Sequence, residues 1–133
     1  KIAVKISAII VPIILIGVAV LMFTGNIEVH CEDTSFTINA TYWSDLEIDY
    51  SEVDTIEYRK DLDVGVRTNG FGSARLLMGI FQNDEFGSYT LYAYTGAKEF
   101  VVLTSGTKTL VIGMNDVEDT QAIYDTMLEK IGE

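Results

Sequence analysis

The sequence predicts a mainly β fold: an antiparallel sandwich or barrel of about seven strands with one C-terminal α-helix, preceded by an N-terminal hydrophobic helix that spans a membrane. Three observations predict it. Residues Ile6 to Gly25 carry no charge, everything after Gly25 is acidic and broken into short apolar runs by turn residues, and from Val117 the apolar spacing turns helical. The chain divides accordingly into residues 1–25, the helix and its flank, and residues 26–133, one β domain.

The uncharged stretch is 20 residues long. At a rise of about 1.5 Å per residue, that length crosses a hydrocarbon core of about 30 Å. Ile9, Ile10, Val11, Ile13, Ile14, Leu15, Ile16 and Val18 leave no polar stripe of the kind a buried core helix shows. Pro12 removes one backbone donor, which spanning helices tolerate where the freed carbonyl finds a partner. A cleaved signal peptide is the rival reading, with Lys1 and Lys5 as its basic flank, but Phe23-Thr24-Gly25 lacks the small-residue cleavage pattern. An uncleaved anchor in the cell membrane, in a single-pass chain or as part of a multi-pass one, is the expectation. Lys1 and Lys5 lie on one side and no Lys or Arg occurs from Asn26 to Tyr58, so the positive-inside tendency puts the domain outside the cytoplasm. The chain begins with Lys rather than Met, so residues and further helices can precede it.

The β runs follow in order: Ile27 to Glu32, Phe36 to Tyr42, Leu46 to Tyr50, Thr55 to Tyr58, Val64 to Thr68, Ser88 to Tyr94, Phe100 to Leu103 and Thr109 to Ile112. Asn69-Gly70, Gly87, Thr95-Gly96 and Ser105-Gly106 read as the turns between them, which suits an antiparallel meander. In Val117 to Ile131, the residues Thr120, Ile123, Tyr124, Met127, Leu128 and Ile131 form one apolar stripe at helical spacing. Asn115 with Glu118 reads as a capped start and Gly132 as a stop. Such a stripe must be buried, and the natural place is an open end or corner of the β structure.

From Asn26 onward, seven basic residues face twenty acidic ones, a formal charge of 7 − 20 = −13. That field disfavours nucleic acid and anionic lipid, both of which need a basic patch. The cations do concentrate: Arg59, Lys60, Arg67 and Arg75 could share one face of a sheet as a binding cluster, although ion pairing with Glu57, Asp61 and Asp63 is the plainer account. Cys31 is the single cysteine, so no internal disulfide forms, and His30 beside it points to the opposite strand face, which denies a thiol dyad. Gly70-Phe71-Gly72 lacks the third glycine and following helix of a phosphate loop and reads as a hairpin turn. Asp61 and Asp63 lack the remaining ligands of a calcium loop, and one His with one Cys does not make a zinc site. No cofactor or metal is expected, and no nucleophile, base and orienting group can be assembled into an enzyme site.

The aromatic residues concentrate in strands and turns, where alternation sends about half inward. Phe71 and Phe81, in glycine-containing turns, are the ones expected to be exposed, as contacts for a partner protein or the bilayer; core packing is the plainer account.

The order of motifs then becomes informative. Ile48, Tyr50, Val53 and Ile56 give an I-x-Y-x-x-V-x-x-I corner; Arg67-Thr68-Asn69-Gly70-Phe71-Gly72, Gly79-Ile80-Phe81 and Gly87-Ser88-Tyr89-Thr90-Leu91-Tyr92 follow. With the strand pair Phe100 to Leu103 and Thr109 to Ile112, and Asn115-Asp116 before the last helix, this order resembles the bacterial pleckstrin-homology (PH) domains over nearly the whole soluble part. The resemblance implies a non-enzymatic module of the kind often joined to membrane helices. Eukaryotic relatives that bind phosphoinositides use a basic cluster at the first hairpin, where this chain has Glu28, Glu32 and Asp33, so phosphoinositide is not the expected ligand. The expected role is a membrane-anchored interaction or scaffolding module that binds a protein partner or assembles with itself. The alternative is a domain holding a small apolar ligand or lipid in its barrel mouth.

Overall fold

The computed structural model describes residues 2–132, with side chains from Ala8 onward. Helix α1 (Ile2–Phe23) contains Pro12. Its side chains from Ala8 to Phe23 are all exposed. Among the described residues no helix is long and apolar enough to cross a membrane. The 16 residues from Ala8 to Phe23 rise only about 24 Å against a core of about 30 Å. The Lys1 and Lys5 side chains, on which the expected orientation rests, lie outside the described residues.

Among the described residues nine strands follow rather than about seven: β1 (Ile27–Cys31), β2 (Ser35–Ala40), β3 (Leu46–Asp49), β4 (Thr55–Arg59), β5 (Val66–Gly72), β6 (Leu76–Asn83), β7 (Gly87–Tyr94), β8 (Phe100–Ser105) and β9 (Lys108–Gly113). A short 3-10 turn, Tyr50–Glu52, separates β3 from β4. β1, β2 and β3 form one antiparallel sheet, and the second sheet has the order β4-β8-β9-β7-β6-β5. Its centre departs from a meander: β9 folds back between β8 and β7, so that β7 and β9 run parallel from Thr90 opposite Leu110 to Ala93 opposite Gly113.

β6 was not expected, because Gly79 interrupts its apolar run and reads as a turn. Gly79 instead lies within the strand, directly opposite Gly70 of β5. Both have positive φ, +121° at Gly79 and +141° at Gly70. A Cβ on Gly79 would come 2.4 Å from the Asn69 carbonyl oxygen, so the close approach of the two backbones needs the missing side chains. The Asn69-Gly70 turn is thus strand, and a register shift between Arg67 and Asn69 marks a bulge there.

Between the sheets lies a core that includes Phe36, Ile38, Met78, Ile112 and Met127. The opposite face of the larger sheet is apolar as well. Phe81, Leu91, Val102 and Val111 are buried there beneath Leu62, Val64 and Phe86. Burial on both faces is why β7, β8 and β9 read as nearly continuous hydrophobic runs.

Helix α2 (Val117–Ile131) packs against β4, β8, β1 and the 3-10 turn, at the corner where the sheets meet. Its cap is Asp116 rather than Asn115, and no side-chain cap bond forms. The Thr120 hydroxyl instead ties the helix to the end of the preceding strand, accepting from the Met114 N–H at 3.0 Å. Gly132 ends the helix, its N–H donating to the Leu128 carbonyl at 3.0 Å. Thr120 and Met127 are fully buried, Ile123, Tyr124 and Ile131 half-buried, and Tyr124 meets the Tyr58 ring edge-on at 5.4 Å. Leu128, expected in the stripe, is 45% exposed, because the stripe centres on Thr120 and Met127 and places it at the margin.

Candidate functional site

The four expected cations do not form a cluster. β4, which carries Arg59, and β5, which carries Arg67, are opposite edges of the six-stranded sheet. Arg59 is bound bidentately by Glu85, at 2.6 and 3.1 Å. That pairing raises the guanidinium pKa and holds the Glu85 carboxyl below the usual range. Glu57 adds a contact at 3.6 Å, so ion pairing accounts for Arg59 with Glu85 in place of Asp61 and Asp63. Lys60 is exposed, and Arg67 lies over Gly72. Arg75, in the β5–β6 turn, is committed to the backbone next to α1.

The two aromatic candidates are also displaced. Phe81 is 2% exposed, buried on the outer face of the larger sheet against Tyr89. It lies within β6, where alternation puts it on the same face as Leu77, opposite to Leu76 and Met78. Phe71 is half-buried in β5, its ring 5.2 Å from that of Tyr42. Neither is an exposed turn residue. On residues 24–132 the exposed large apolar side chains are Val66 and Leu128, so the domain offers no extended apolar patch.

What the structure does bring together is the junction between α1 and the domain. Thr24 turns its hydroxyl back to the Val20 carbonyl and accepts from the Tyr42 hydroxyl at 2.8 Å. Gly25 follows with φ +101°, and a Cβ there would meet Leu76 and Tyr42 at 2.8 Å. The Arg75 guanidinium donates to the Gly25 carbonyl at 2.7 Å and to Asn26 Oδ1 at 2.8 Å, while stacking 5.0 Å over the Tyr94 ring. Asn26 donates its N–H to Thr41 Oγ1 at 2.8 Å, and Tyr94 accepts the Ile27 N–H at 2.9 Å. Charge-assisted and stacked contacts of this kind are among the stronger polar interactions a surface can make. Arg75 was legible as part of a cation run; its backbone partners fifty residues earlier were not.

A second feature is a cleft of about 600 Å³ between β3 and the β8–β9 hairpin. Among the described residues β3 pairs only with β2, so its other edge faces this space. Apolar Leu46, Ile48, Val53, Leu103 and Leu110 line it together with charged Glu47, Glu52 and Lys108. Its volume falls within the range of small-molecule sites, although its lining is more polar than is usual for them.

The remaining polar candidates are structural. Asp63 Oδ1 accepts from the Gly65 N–H at 3.0 Å, a turn within the loop from β4 to β5. Among the described residues no three His, Cys, Asp or Glu side chains converge on a metal position. Cys31 is half-buried in the core, and burial raises its pKa, which keeps the thiol protonated. Exposed His30 lies 3.4 Å from Glu28 instead.

Residues 27–125 match the family model described as the bacterial PH domain. Neither a curated protein nor a solved structure matches the chain. The matched span opens at β1, immediately after the clamped junction, and closes within α2, taking in both sheets. The chain therefore belongs to the bacterial PH domain family.

Proposed function

We propose that this chain is a membrane-tethered PH-like module, without a reaction of its own, that holds a protein partner or a second copy of itself beside the bilayer. The observation that supports the reading is the contrast between α1 and everything after it. Every described side chain of α1 is exposed and nearly all are apolar, whereas the domain keeps its apolar residues inside. An apolar helix exposed on all sides has no stable place in water, and lipid is the solvent that fits it. In the sequence the uncharged stretch from Ile6 to Gly25 is 20 residues, the length a helix needs for a core of about 30 Å. Floating the full chain on neutral phosphatidylcholine vesicles tests the tether. The full chain should rise with the vesicles and a truncation beginning at Asn26 should stay behind; a full chain that stays behind refutes the reading.

The cleft beside β3 supports a second reading, a site for a small apolar ligand with a polar end. An environment-sensitive dye such as Nile red should brighten on binding the truncated domain. Replacing half-buried Leu46 with Trp, which narrows the cleft, should abolish the signal, and equal brightening of both proteins would count against the site.

A further inference from the structure

We infer that residues Thr24 to Asn26 are a rigid clamp rather than a flexible linker, and that the clamp seats the β2–β3 turn, with Tyr42 and Trp43, in the headgroup layer of the membrane. The inference rests on the reading of α1 as the membrane segment. Its own grounds are geometric. A short glycine-containing linker would ordinarily let a domain swing, but each of the three residues here is held by the domain. Thr24 is held by Tyr42, the Gly25 carbonyl by Arg75, and Asn26 by both Arg75 and Thr41. Gly25 has no room to take a side chain, so this is a close-packed contact.

The turn that the clamp grips is itself fixed from the other side. Tyr92 donates its hydroxyl to the Ser44 carbonyl at 2.7 Å, and Asp45 Oδ1 accepts the Ala40 N–H at 3.1 Å. Tyr42 and Trp43 are half-buried, each packed against the core and each keeping part of its surface exposed. The Tyr42 hydroxyl, bonded to Thr24, lies one residue beyond Phe23, where the apolar surface of α1 ends, and Trp43 follows it in the same turn. Tyr and Trp favour that level of a bilayer, with an apolar body toward the chains and a polar tip toward water. The occupant is zwitterionic lipid: the turn offers Asp45 and no cation of its own, and Arg75 is already engaged.

Trp43 is the only tryptophan in the chain, so its fluorescence reports on this turn alone. The full chain would be reconstituted in phosphatidylcholine vesicles carrying a nitroxide quencher either on the headgroup or deep in the acyl chain. Co-flotation with stronger quenching by the headgroup label is the expected result. Tyr42→Phe removes only the hydroxyl that grips Thr24; it should keep the far-ultraviolet spectrum and the flotation while losing part of the headgroup quenching. Co-flotation with no quenching, or with quenching strongest from the deep label, overturns the seating while leaving the anchor intact. Loss of flotation itself refutes the anchor, and the seating with it.

Discussion

Gly70 and Gly79 face one another across β5 and β6, and each backbone occupies the space where the other's side chain would be. Gly79→Ala should therefore destabilise the domain by about 3 kcal/mol, since it adds both a positive-φ strain and a backbone clash. Gly87 also has positive φ but meets nothing within 4 Å, so Gly87→Ala should cost clearly less in a chemical denaturation series. A second test at this scale uses the tyrosines. Burial, and then the charge of Asp63, pushes the Tyr89 pKa up to about 12; burial, and then its hydrogen bond to Glu99, does the same for Tyr58. Both are held neutral in the fold, so the stability they contribute is complete below the unfolded value of about 10. It is lost as pH rises toward about 12. Ultraviolet titration should show these phenolates forming well after those of the unfolded chain; coincident titration would show that neither ring is sequestered. Single residues were the hardest to place from sequence. Phe81, two residues after Gly79, has the same local pattern whether that glycine turns the chain or lets two strands close up, and only β5 decides which.

Among elements, α2 was read with its correct span because helical spacing is a local property. Its exact burial depends on the neighbours. Met127 is fully buried and Leu128 is 45% exposed, although both lie in the stripe. Met127→Ala should cost about 2 to 5 kcal/mol and Leu128→Ala no more than about 0.5 kcal/mol, measured by thermal or denaturant unfolding. Equal losses would place the helix in a different rotation. Strand β6 shows the converse limit: its residues are apolar on both faces, so no alternation marks it, and a central glycine hid the rest. The insertion of β9 between β8 and β7 was beyond reach for the same reason, since pairing partners are not written in either strand. The cation run was legible as composition only. Its members sit on separate elements, with Arg59 closing a turn and Arg75 closing a junction.

At the scale of the whole molecule, the chain joins an apolar helix to a domain of formal charge −13, and the two parts call for different solvents. The isolated domain, beginning at Asn26, should bind anionic vesicles weakly or not at all at moderate salt. Each exposed Lys or Arg near such a surface contributes only about 1 kcal/mol, and Arg59 and Arg75 are already engaged. Strong, salt-sensitive sedimentation with those vesicles would show a basic surface that the fold has kept together after all. On the proposed reading, affinity for the membrane comes from α1, and the clamp at Thr24 to Asn26 carries the domain with it. The direct measurement is extraction of the full chain from native membranes with alkaline carbonate in the absence of detergent. Retention in the membrane pellet is the predicted result, and release of the intact chain into the supernatant would contradict the account.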